Sequence, residues 1–109
     1  LLKVKRFEEA KSALRKMIPV ARRVFGKRDR FTLTMSKVFA EALYDDPSAT
    51  LDELREAVTM FEDIERTARQ VLGGAHPLTV DIERKMRNAR AALRACETGG
   101  AREPVSTAN

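Results

Sequence analysis

The chain has 109 residues, 43% hydrophobic and 34% charged, with no Trp and one Tyr, which suits one small helical domain better than a sheet. No apolar run reaches about 18 residues, so no membrane span is expected, and the lone Cys96 excludes an internal disulfide. The net charge of +5 is unevenly placed, with +8 over residues 1–30, −5 over residues 31–76 and +2 over residues 77–109.

In chain order, Phe7, Ala10, Leu14, Met17, Ala21, Val24 and Phe25 recur at helical spacing and predict one face of a first helix over about 5–25. Gly26 suits its C-terminal end, and Pro19 removes a hydrogen bond to the Arg15 carbonyl, so a kink is expected near Lys16 to Ile18. Leu33, Met35, Val38, Phe39, Ala42 and Leu43 predict a second helix over 31–44, followed by an Asp45-Asp46-Pro47-Ser48 loop.

Thr50-Leu51-Asp52-Glu53 is a capping-box sequence, which opens a third helix over 50–72. Its stripe runs through Leu54, Val58, Phe61, Ile64, Ala68, Val71 and Leu72 to Gly73. Pro77 fits the first turn of a fourth helix over 77–96, with Ile82, Met86, Ala89, Leu93 and Cys96 on one face. Residues 1–97 are therefore expected to form the helical domain, and residues 98–109 a disordered tail.

The sequence also matches itself at an offset of 47. Gly26 falls on Gly73, Ala21-Arg22 on Ala68-Arg69, Val24 on Val71, Thr32 on Thr79 and Ala42 on Ala89. Matched positions are apolar, small or at helix ends, as repeated helix hairpins require.

Phe39-Ala40, Leu43, Ala57, Phe61 and Ile64 resemble the tetratricopeptide pattern. Residues 68–79, ARQVLGGAHPLT, resemble the kinesin-light-chain type of that repeat, with Val-Leu-Gly closing one helix and His-Pro opening the next. The resemblance covers about residues 7–96 and implies an all-α fold, an α-solenoid of antiparallel helix hairpins. The sequence departs from the pattern in a longer period, placed at Asp46 to Thr50, and in Lys27-Arg28-Asp29-Arg30 where His-Pro is usual. Arg87 and Arg90 fall on the positions of Ala40 and Leu43, which suits a helix covering the C-terminal end of an array with a wet outer face. A start in mid-pattern without Met suggests further repeats upstream.

Few ionisable groups converge, so no catalytic residue, cofactor or metal site is expected. His76 stands in GGAHPLT, which lacks the Lys and the preceding strand of a phosphate loop and reads as a turn. The expected function is a protein-interaction scaffold in an intracellular, cytoplasmic setting, binding a peptide or a partner of acidic character. The resemblance implies a concave face carrying Thr34, Lys37, Glu41 and Tyr44 with Asp81, Arg84 and Asn88. Within it, Lys37 and Arg84 would meet partner carboxylates, and Asn88 a backbone. A competing expectation is a fixed subunit docked through the basic patch of Arg22, Arg23, Lys27, Arg28 and Arg30. Nucleic-acid binding ranks below both, because Phe7 and Phe25 are expected to be buried and unable to stack on bases.

Overall fold

A computed structural model describes residues 2–99, and side chains from residue 6 to residue 98. Among them the fold is all-α, with helices α1 (Leu2–Phe25), α2 (Arg30–Asp45), α3 (Leu51–Leu72) and α4 (Pro77–Gly99). Each helix packs on the next, and α2 also touches α4. No helix among the described residues is long and apolar enough to cross a membrane.

Local chemistry sets the ends. Thr50 and Glu53 form the capping box, with the Glu53 N–H donating to Thr50 Oγ1 at 3.1 Å and the Thr50 N–H to Glu53 Oε1 at 3.0 Å. α1 continues unbroken through Pro19, whose side is exposed. Helix α4 runs to Gly99, past the expected end at 96 and through the expected domain boundary at 97. The rest of the expected tail lies outside the described residues.

The two turns at the 47-residue offset are built alike. Gly26 and Gly73 have φ of 91° and 92°, a region that favours glycine. Their N–H groups donate to the carbonyls of Arg22 and Arg69 at 2.9 and 3.1 Å. The Asp29 N–H donates to the Gly26 carbonyl, and the His76 N–H to that of Gly73, both at 3.3 Å. Asp29 Oδ1 then accepts from the Phe31 N–H at 2.8 Å, and His76 Nδ1 from the Leu78 N–H at 3.0 Å. Divergent sequences thus close the same turn, since any short side-chain acceptor at that place satisfies a free helical N–H.

The core is centred on α3. Leu54, Ala57, Phe61 and Ala68 are fully enclosed, with Leu33, Ala40 and Leu43 from α2 and Ile82 and Ala89 from α4. Each large side chain buried there contributes about 1.5–3 kcal/mol. In α1 the pattern is a correction to the expected stripe. Ile18 and Ala21 are buried, whereas Met17, Val24 and Phe25 are exposed. The α1 stripe is as apolar as that of α3, but α3 lies between two helices and α1 has a described helix on one side only.

Candidate functional site

Two surfaces hold the expected site residues. The first lies where α2 meets α4. Lys37 Nζ bonds Asp81 Oδ2 at 2.8 Å, and Asp81 Oδ1 accepts from Arg84 at 2.5 Å. Glu41 pairs with Lys85, which also lies 3.8 Å from Asp81. Burial raises the Asp81 pKa, but the hydrogen bonds from Lys37 and Arg84 outweigh it and hold the carboxyl below its ordinary range. The bond to Glu41 raises the Lys85 pKa against a smaller opposing effect of burial.

Tyr44 corrects the expectation of an outward-facing residue. It is buried, its ring edge-on to Phe61 with centroids 5.9 Å apart, and its hydroxyl is hydrogen-bonded to Asn88. Burial pushes its phenol upward. Thr34 is half-buried on α2, and Arg84 and Asn88 are exposed on α4. Six of these seven residues are thereby joined by contacts between α2 and α4 or by the Asp81–Arg84 pair. Lys37, Arg84 and Asn88, expected to face a partner, are engaged within the chain. Lys85 was missed by the sequence reading, because its counterpart at the repeat offset is Val38; its place four residues after Asp81 was the available signal.

The second surface is formed by α1, the following turn and the outward side of α2. Arg22, Arg23, Lys27, Arg28 and Arg30 are all exposed, and among the described residues none has a carboxylate partner. Beside them lies an apolar crease containing Met17, Val20, Phe25 and Phe31. Phe25 and Phe31 are exposed and packed edge-on, with centroids 5.4 Å apart. The expectation that Phe25 is buried is therefore corrected, and with it the argument that no aromatic near the cations is accessible.

No protein-family model, curated protein or solved structure matches the chain.

A third cluster also escaped the sequence reading. Lys11 is buried on α1, with its Nζ 3.0 Å from Asp46, 2.8 Å from Glu53 and 3.2 Å from Glu8. Burial lowers its pKa, but the three carboxylates outweigh that and raise it. Burial likewise raises the Glu53 pKa, and the Lys11 and Thr50 hydrogen bonds bring it below its ordinary value. The signal was positional: Lys11 lies four residues after Phe7 and three before Leu14, on the apolar side of α1. This cluster ties α1 to the α2–α3 loop through Asp46 and to the first turn of α3 through Glu53. Among the described residues no three His, Cys, Asp or Glu side chains are placed to hold a metal ion.

Proposed function

We propose that the chain is a tetratricopeptide-like helical-repeat fragment that works as a non-catalytic protein-interaction scaffold in an intracellular setting. The observation that carries this reading is the open apolar crease of α1 and α2 beside five cations without carboxylate partners. Exposed apolar surface bordered by unpaired charge is what a protein partner covers and neutralises. The repeated turn geometry, Gly26 to Thr32 against Gly73 to Thr79, supports the repeat part of the reading.

Within the interaction class, docking through the basic end is favoured over peptide capture on the α2–α4 face. Lys37, Glu41, Asp81, Arg84 and Lys85 already satisfy one another. A peptide there must break those pairs before making its own.

The test is cross-linking mass spectrometry of the protein in extract of its own cells. Cross-links to another protein are expected at the α1–α2 end. They should be lost when Arg22, Arg23, Lys27 and Arg28 are reversed to Glu and kept when Lys37 and Arg84 become Ala. The opposite pattern moves the function to the α2–α4 face, and recovery of no cross-linked protein overturns the scaffold reading.

A further inference from the structure

The two turns close alike and differ at their tips. Across the 47-residue offset, Arg22, Arg23, Lys27, Arg28 and Arg30 stand where the second copy has Arg69, Gln70, Gly74, Ala75 and Pro77. That copy makes the same backbone bonds with no Lys or Arg at 74, 75 or 77, so Lys27, Arg28 and Arg30 are not needed to close the turn. They also weaken it. Lys27 and Arg28 crowd the N-terminal end of α2 and Arg30 is its first residue, a place where the helix dipole disfavours cations. Asp29, the carboxylate between them, is taken up by the Phe31 N–H.

The tip also stays open when hairpins stack. In the second copy α2 packs on both α3 and α4, yet Arg69, Gln70, Gly74, Ala75 and Pro77 are all exposed. By the same geometry, a helix laid over the α1–α2 crease leaves the five cations in solvent, whichever chain supplies it.

Charge with little apolar surface beside it selects the occupant. Among the described residues every carboxylate except Glu9 is already engaged within the chain, so a second copy offers these cations almost nothing. Single-stranded nucleic acid needs ring faces beside the charge, and a bilayer needs apolar residues that enter it. Phe25 and Phe31 pack edge-on against each other, and their counterparts Leu72 and Leu78 are half-buried in the stacked copy. A stacked tip thus presents mainly cations, which carboxylates on a chain satisfy directly.

We propose that the α1–α2 turn receives an extended acidic segment of a partner protein, its Asp and Glu side chains held by Arg23, Lys27, Arg28 and Arg30. Guanidinium groups bind carboxylates through paired hydrogen bonds, and the positive end of α2 adds to the attraction. An extended chain can follow the outer bend of a hairpin, where a helix finds no groove. This rests on the scaffold reading above and adds the chemistry of the partner.

The test uses the purified 109-residue chain and a synthetic peptide in which Glu and Asp alternate with Gly and Ser. About twelve residues, about 40 Å when extended, are enough to round the turn. Amide shifts in NMR are expected over residues 22–31, with an affinity that falls steeply as salt is raised. The same peptide with Gln and Asn in place of its acids should not bind. Combining Arg23→Gln, Lys27→Gly, Arg28→Ala and Arg30→Pro gives the first turn the residues that already close the second. That exchange should cost about tenfold in affinity. Circular dichroism checks its fold, and Arg23→Glu with Arg28→Glu, both at exposed places, carries the same test if the exchange unfolds the chain.

No binding of the acidic peptide, equal binding by the variants, or shifts centred on Lys37 and Arg84 or on Arg87 and Arg94 overturn the inference. A single-stranded uridine oligonucleotide of equal charge that binds the turn more tightly than the peptide overturns it in favour of nucleic acid. Phosphatidylserine vesicles that hold the chain through these cations more tightly than the peptide does overturn it in favour of a membrane surface. In the cross-linking of cell extract described above, the partner segment joined to this turn should be acidic. A neutral or basic segment there overturns this inference and leaves the scaffold reading standing. An acidic stretch of the same polypeptide overturns it in favour of an internal contact.

Discussion

The α3 helix and the α1 helix are two copies of one pattern with different surroundings. Phe61, Leu54 and Ile64 are enclosed by neighbours on both sides, whereas Leu14, Phe7 and Met17 hold the same places half-open or exposed. Polar chemistry follows the same division. Between α2 and α4 the charges meet across the helices, and at the α1–α2 turn they point into solvent without carboxylate partners. An apolar stripe therefore states what a helix can bury, and only its neighbours decide what it does bury.

The largest effect that can break this comparison is at its matched core pair. Phe61→Ala should cost about 3–5 kcal/mol in urea unfolding, and Leu14→Ala less than half as much. Equal costs would mean that α1 is as enclosed as α3. Next comes the buried cluster. Lys11→Ala removes the ammonium beside the Asp46 carboxylate, 1% exposed, which then keeps its hydrogen bond from the Ser48 N–H, and should cost about 3 kcal/mol. Combining Lys11→Met with Asp46→Asn should recover most of that loss in the same assay.

The turns sharpen the comparison in the opposite sense, because there the copies agree. Gly26→Ala and Gly73→Ala put a Cβ on a backbone with φ near 90°, with no heavy atom within 4 Å of it. Each should cost about 1–2 kcal/mol, and the two losses should match within a few tenths of a kcal/mol.

Acid separates the surfaces more gently. Asp81 and Glu53 are held below the ordinary carboxylate range, so their pairs stabilise the fold above about pH 4. That stability is lost as pH falls through their lower folded pKa values. Thermal melts should reveal a decline on the order of 1 kcal/mol, and Asp81→Asn should flatten part of it. The smallest effect belongs to the open face. Met17→Asp and Val20→Asp should each change chain stability by less than about 1 kcal/mol, whereas Ile64→Asp should prevent folding.

Much of the fold was legible in the sequence because its signals are local. The capping box at Thr50, Gly26, Gly73 and Pro77 act within a turn of themselves, so four helices could be placed to within about three residues at each end. What escaped depends on contacts across the chain. Periodicity gave Met17 and Phe25 the same standing as Ile64 and Leu72, because it carries no information about which helix lies alongside. Tyr44 was read as outward-facing, whereas the Phe61 ring and Asn88 hold it inside. Lys11 sat in plain view on an apolar face, but its partners Asp46 and Glu53 are 35 and 42 residues away. On the α2–α4 face Lys37 meets Asp81 across the helices, a pairing that helical spacing within either segment does not encode.

The outer side of α4 gives the molecule a direction. Arg87 and Arg90 are exposed at places equivalent to the sealed Ala40 and Leu43 of α2, and Arg94 is exposed one turn later. Stacking a further helix on that side would take these guanidinium groups out of water, among them Arg90, which pairs with Glu62 at 2.9 Å.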